Sequence, residues 1–317
     1  MLDVFKFECR YQLRSPLFLV LSVAFFLFAF LLMASENVSL GGVSRSLNLN
    51  AAWTIVYTQF FFSIIGMFGA VAIVSQAITR DYEFRTAEIF FTTGVSPRGF
   101  LLGRFFGAFI FAVGVCMAAM LGTLLASLAP WLDPERVGAF SIAPYLYALG
   151  VVTIPNIFFS SALFFTLAAL TRSMLAAFIG AVAFIVLNIV IGNLVDPEQV
   201  DLLAMIDPFG QRAFSDVSRY WTVFERNVEL VPVSGNLLIN RVAWMSLGVL
   251  ALLFTTWRYG FSLDPSVLRR KSKRVRKTTP KPALTTKSVQ QVFNATTPWR
   301  QFFSQVSIDL SGIYRSV

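Results

Sequence analysis

"PLFLVLSVAFFLFAFLLMA", Pro16–Ala34, holds no charged residue. Wound as a helix at 1.5 Å per residue it reaches roughly 28 Å, close to the ~30 Å thickness of a bilayer's hydrocarbon core. The run is too long for the 7–15-residue apolar region of a secretory signal. Asp3 and Glu8 flank it, and no clear small-x-small cleavage site follows. It reads as a retained membrane span.

Working outward, five more runs of this kind appear, at about 53–78, 104–126, 145–168, 174–194 and 238–257. The whole chain, 317 residues, is 56% hydrophobic and only 14% charged, with a mean hydropathy of +0.68. That balance excludes an ordinary soluble domain. The fold class expected is all-α: a polytopic membrane protein with six transmembrane helices and interfacial amphipathic helices. Residues 1–15 form a cytoplasmic amphipathic element, 16–260 the six-span domain, 261–298 a basic flexible linker and 299–317 an amphipathic helix.

Lys/Arg bias sets the expected orientation. With the N-terminus in the cytoplasm, segments 1–15, 79–104, 169–173 and everything after 257 hold 20 of the 26 basic residues. Counting short loops alone, 79–104 carries four Lys/Arg against one each in 35–52 and 127–144. The expectation is N-in, C-in. The net charge of +9 is concentrated beyond residue 257, where twelve basic residues face only Asp264 and Asp309. The run Arg269–Lys277, "RRKSKRVRK", reads as a contact for anionic lipid or a topology signal rather than a nucleic-acid site.

Histidine is absent, which removes the commonest zinc ligand, the usual general base and every Ser-His or Cys-His pair. No metal site is expected. Cys9 and Cys116 fall in a cytosolic flank and inside a span, so neither is expected in a disulfide. No G-x-x-x-x-G-K-[ST] loop exists to bind ATP.

Charge gathers in one inter-span segment, "ITRDYEFRTAEIFFTTGVSPRGFLLGRF", residues 78–105. Taken as a helix, Asp81, Arg85, Glu88 and Thr92 share a face at i, i+4, i+7, i+11, with Asp81 and Arg85 in the favourable acid-before-base order. Gly94 is placed for a left-handed helix stop. Ser96 is placed as N-cap ahead of Pro97 at the first helical position. The expectation is an interfacial helical hairpin with a charged stripe toward the cytoplasm. In "FKFECRYQLRSP", Glu8 and Arg14 belong to a second juxtamembrane element, and the two together would make a docking surface. The alternative is an amphipathic connector that serves topology alone.

"TRDYEFRTAEIFFTTGVSPRGFLLGRFFG" resembles the loop after the second span in type-2 ABC-transporter permeases. Thr86, Glu88, Gly94, Ser96, Gly103 and Arg104 carry the resemblance. It implies that Arg80, Asp81, Arg85, Thr86, Glu88, Gly94 and Ser96 couple to an ATPase subunit, with Glu8 and Arg14 as the N-terminal coupling element. It also implies that ATP and Mg bind on that separate chain, that a second permease domain completes the pathway as a homodimer or paralogous half, and that the protein lies in the bacterial cytoplasmic (inner) membrane. The stretch 207–244 resembles, more narrowly, a subgroup in which the permease is fused to a zinc aminopeptidase. Asp207-Pro208-Phe209-Gly210, Arg219-Tyr220-Trp221-Thr222, Glu225-Arg226-Asn227 and Asn240-Arg241 carry that match. The sequence has no H-E-x-x-H, so peptidase chemistry does not reside in it.

Offset by 301 residues, Phe5–Glu8 falls on Val306–Asp309 and Arg14-Ser15 on Arg315-Ser316. This suggests the start of a second repeat, the alternative being an amphipathic helix lying on the membrane. Within the spans, Gly103, Gly107 and Gly114 share a face suited to close packing, within the chain or across a dimer seam. Gln59, Asn156 and Asn188 either line a substrate path or bond helix to helix. The spans are otherwise almost free of charge, which disfavours a proton- or sodium-driven carrier. The function expected is the permease subunit of an ATP-driven exporter, not an enzyme. The alternative is a membrane anchor or scaffold for a peptidase.

Overall fold

A computed structural model describes residues 1–35, 47–84, 86, 94–196, 198–259 and 304. Residues Met1–Ser262 form one compact unit; the second unit, Leu263–Val317, lies outside the described residues apart from Ser304. The basic linker and the suspected second repeat therefore fall outside them.

Among the described residues, six helices are long and apolar enough to cross a membrane. They are α2 (Pro16–Ala34), α3 (Ala52–Glu83), α4 (Pro97–Ala126), α5 (Ala143–Thr171), α6 (Met174–Leu194) and α10 (Gly235–Arg258). A short helix, α1 (Leu2–Leu13), precedes them. Three more, α7 (Val200–Ile206), α8 (Gln211–Val217) and α9 (Val223–Val228), lie between α6 and α10.

The chain breaks between α1 and α2 because Pro16 drives Ser15 into extended backbone, at ψ 123°. Pro155 causes the one irregularity in α5. It offers no N–H to the preceding turn, and the helix passes through a π-helical stretch, Ala148–Thr153, just before it. Arg172, left-handed at φ 55°, ends α5. Ser173 then caps α6 by accepting the Ala176 N–H at 3.3 Å.

Burial is uneven. α3 is the central helix, its apolar window 72% buried, whereas α6 is 11% and α2 22% buried. Buried Phe62, Phe100, Phe105, Phe164 and Phe165 fill the core around α3, α4 and α5. A separate cluster of Trp53, Phe60, Phe214 and Leu237 joins the start of α3 to α8 and α10. At 32 and 30 residues, α3 and α4 extend about 48 and 45 Å. Both exceed the hydrocarbon thickness, so their ends stand at headgroup depth or beyond.

Candidate functional site

One end of the bundle holds four charged side chains sealed from solvent. Glu8 on α1 and Arg104 on α4 are 0% exposed, and Arg80 and Asp81, in the last turn of α3, are buried. Glu8 Oε2 accepts from Arg80 Nη2 at 3.0 Å and from Arg104 Nη1. Arg104 Nη2 reaches across to Asp81 Oδ2 at 2.6 Å. Gln12 Nε2, one turn along α1, donates to Glu8 Oε1 at 2.8 Å. Aromatic faces complete the enclosure. Arg80 lies 3.6 Å from the Tyr11 ring centroid, and Arg104 lies between Phe7 and Phe100 at 5.2 and 5.3 Å. Two acids balance two bases, so ions buried here need no outside counter-charge.

Backbone spacing makes the arrangement possible. A Cβ on Gly107 would stand 2.6 Å from Glu8 Cβ, and one on Gly103 would stand 2.8 Å from Val4 Cβ. Both are closer than side-chain carbons pack, so glycine here is what seats α1 on α4. The helix buries Glu8 and Gln12 and leaves outward a mixed face, Leu2, Phe7 and Leu13 alongside Asp3, Lys6 and Arg10. Such a mixed apolar and charged face suits a helix lying at the membrane interface.

The same end gathers further segments. Tyr82 and Tyr259 share a hydroxyl–hydroxyl bond of 2.7 Å, and Arg172 lies 4.9 Å over the Tyr82 ring. The ends of α3, α5 and α10, with α1 and the start of α4, thus meet at one face. They belong to the four segments that carry 20 of the 26 Lys/Arg residues.

A second polar network lies towards the opposite end. The Arg241 guanidinium donates to Asn156 Oδ1 at 2.7 Å and to Asn240 Oδ1 at 2.6 and 3.2 Å. Asn156 donates to Ser63 Oγ at 2.9 Å. Asn240 donates to the carbonyls of Ala204 and Asp207 at 2.6 and 2.8 Å. Asp207 holds the start of α8, its carboxylate accepting the N–H groups of Phe209 and Arg212 at 3.0 and 2.8 Å. Gly210 is left-handed, at φ 74°, and Arg241 rests directly against it. Pro208 and buried Phe209 complete the turn. Asp207, Gly210, Asn240 and Arg241 of the "DPFG" and "NR" stretches thus help pin the α7–α8 layer to α10 and, through Asn156, to α5.

The family described as ABC-2 family transporter protein matches residues 2–258, from the first residue of α1 to the last of α10. The chain belongs to the ABC-2 transporter family. No curated protein matches the sequence. ABC-2 proteins are transporter permeases rather than enzymes, and among the described residues no group of three or more His, Cys, Asp or Glu could hold a metal. Permeases of the family typically work with an ATPase subunit.

Several expectations for this ABC-2 permease need correction. Asp81 does not face the cytoplasm from a separate polar helix, because α3 runs on to Glu83 and buries it against Arg104. Arg80 and Glu8 are likewise internal. They belong to the lock because burying one such charge demands its partners. Arg14 parts company with Glu8, being exposed at the C-cap of α1. Gly94 is not left-handed; among the described glycines only Gly210 and Gly235 are. Thr86 folds back, its N–H donating to the Asp81 carbonyl at 2.9 Å. Ser96 does cap α4, accepting the Gly99 N–H at 3.2 Å. Arg85 and Glu88 lie outside the described residues.

The glycine face of α4 is occupied within the chain: Gly103 and Gly107 by α1, and Gly114 by Phe18 of α2. It is therefore not open to a second copy. Gln59 and Asn156 join helices. Gln59 Nε2 donates to Thr153 Oγ1 at 2.8 Å and to the Cys116 carbonyl at 3.3 Å, fastening α3 to the π-helical stretch and to α4. Asn188, half-buried on α6, shares none of these bonds.

The connection between α6 and α10 is held by polar contacts, some of them to α3. Trp53 Nε1 donates to Ser218 Oγ at 3.0 Å, and Arg226 lies 5.3 Å over the Trp53 ring. Thr222 and Glu225 form a capping box at the start of α9. The Thr222 N–H and hydroxyl donate to Glu225 and hold its carboxyl below the usual range. At the other end, burial and then the adjacent Glu8 carboxylate raise the Cys9 thiol.

Proposed function

We propose that this protein is the membrane subunit of an ATP-driven exporter, coupled to a separate ATPase chain through the segment between α3 and α4. One observation carries the reading: the two flanks of that segment are fastened together from below. Asp81 ends α3, Arg104 lies two turns into α4, and Glu8 engages both Arg104 and Arg80. A force applied to residues 85–95 would reach α1, α3 and α4 as one block. Closure of ATPase subunits on ATP would then bias a two-state rearrangement of the bundle.

Other features favour the same reading. The Lys/Arg surplus in 79–104 supports N-in, C-in topology, which presents this end to a cytoplasmic ATPase in a bacterial inner membrane. Arg80, Asp81, Arg104 and Arg241, the buried charges within the spanning helices, are tied into two fixed networks rather than set along a path, which suits energy supplied from outside. A second permease domain would complete the pathway, and Arg269–Lys277 would contact anionic lipid. Kinship to the peptidase-fused subgroup rests on the sequence of 207–244.

Glu88→Arg is expected to lower substrate-stimulated ATP hydrolysis several-fold, with membrane insertion unchanged, measured on the reconstituted complex. Unaltered hydrolysis would remove the segment from coupling. Affinity capture in mild detergent separates this reading from a peptidase scaffold, since only the transporter should retain an ATP-hydrolysing subunit.

A further inference from the structure

A cavity of about 460 Å³ opens where α6 ends, walled by Gly192 and Val195 at the close of that span, Leu203 of α7, and Arg212, Asp216 and Arg219 around α8. Its charges are unspent. Arg212 and Asp216 stand at i and i+4, a spacing that ordinarily favours an ion pair. Yet among the described residues neither they nor Arg219 has an oppositely charged group within ion-pair distance. The Arg212 guanidinium instead packs against Gly192 of α6, where a Cβ would collide with it.

The cavity's depth is set by its wall. Gly192 belongs to the last turn of a span whose side chains Val182, Val186, Ile189, Val190 and Leu194 are exposed. A lipid-facing helix ends at headgroup level in whichever leaflet it ends. The cavity therefore sits where phospholipid headgroups sit, at the top of an apolar strip able to take acyl chains.

We propose that this cavity binds the headgroup of an amine-bearing zwitterionic phospholipid. Arg212 and Arg219 supply forked donors that match a phosphate. Asp216 supplies the acceptor for a primary ammonium. The neutral glycerol of phosphatidylglycerol would bring Asp216 no counter-charge. A quaternary ammonium would offer it no hydrogen.

The test uses the full chain in nanodiscs of equal phosphatidylethanolamine, phosphatidylglycerol and phosphatidylcholine, with retained lipid read by native mass spectrometry after release into detergent. Phosphatidylethanolamine should be retained several-fold over the other two. Arg212→Gln with Arg219→Gln should abolish retention. Asp216→Asn should keep phospholipid while levelling the preference. All three side chains are at least partly exposed and make no hydrogen bond or ion pair among the described residues, so thermal midpoints should not move. Equal retention of phosphatidylglycerol by the unmodified protein, or undiminished retention in the double arginine variant, overturns the proposal. So does displacement by soluble glycerophosphoethanolamine as effective as by the lipid, which would mark a solute site.

Discussion

Glu8→Ala is expected to release α1 from the bundle. The substitution leaves Arg80 and Arg104 buried together with only Asp81 to balance them, and breaking a buried pair from one side costs about 3–5 kcal/mol. Intact, the cluster adds little net stability, because Coulomb attraction is largely offset by desolvation. Its consequence lies in the penalty for opening it. The protein carries its own reporters: Cys9 on α1 is partly buried, and Cys116 in α4 is fully buried. Maleimide labelling of Cys9 should accelerate by an order of magnitude or more in Glu8→Ala while Cys116 stays protected. Loss of the Glu8 charge would by itself make the Cys9 thiol easier to ionise, since that carboxylate helps raise it. Arg104→Met separates the effects by opening the same lock with Glu8 still present, and Cys9 should label faster there too. Glu8→Met combined with Arg80→Met leaves the neutral Arg104–Asp81 pair and should recover most of the lost stability. The interaction term of that cycle measures the coupling. Cys9 labelling at the unmodified rate in both single variants would mean that α1 is held by apolar contacts alone.

What was legible in the sequence follows the range of the interaction responsible. Six spans could be read because hydropathy is a property of contiguous residues, and a helix long enough to cross a bilayer announces itself locally. The Ser96–Pro97 helix start was equally local. Asp81 misled for the same reason. Its i+4 partner Arg85 suggested a surface stripe, whereas its partner in the structure is Arg104, on another helix. Glu8 and Arg104 stand 96 residues apart, and no periodicity records that distance. A usable signal did exist. Gly103 and Gly107 predicted a close helix neighbour, and Arg104 lies between them, so whichever helix filled that seam had to bring an acid. Among the flanking segments α1 is a short helix that carries one mid-face. The "DPFG" and "NR" stretches were visible as a family pattern, yet their roles depend on a left-handed Gly210 and a cation packed upon it. That arrangement appears only after α8 and α10 meet.

The second large effect is expected at Asn240. Its amide nitrogen donates to the Ala204 and Asp207 carbonyls, and its oxygen accepts two bonds from Arg241. Asn240→Leu removes all four at once. The Ala204 carbonyl loses its buried donor, at about 1–3 kcal/mol for a group left unsatisfied, whereas the Asp207 carbonyl keeps the Gly210 N–H at 3.2 Å. The guanidinium keeps Asn156 but loses its nearer acceptor, and a hydrogen bond to a charged group is worth about 1.5–3 kcal/mol. Asn240→Asp should fall between Leu and the native residue, because it restores an acceptor for Arg241 without restoring a donor for the carbonyls. Gly210→Ala should act on the same network from the other side. The left-handed backbone disfavours any Cβ, at about 1–3 kcal/mol, and that Cβ would push into Arg241. The two substitutions share Arg241, so their combined cost should be less than the sum. Thermal unfolding in detergent checks the ordering, and hydrogen exchange over 200–217 shows where the damage falls. That stretch packs on α10 through Asn240, Arg241 and the Trp244–Met205 bond of 3.0 Å. Loss of protection confined to α7 and α8, with the Glu8–Arg104 end unaffected, is the pattern expected of two independent locks. Equal loss at both ends would show instead that the bundle opens as one cooperative unit, and an Asn240→Leu protein as stable as the native one would remove Asn240 from the set of residues that hold this layer in place.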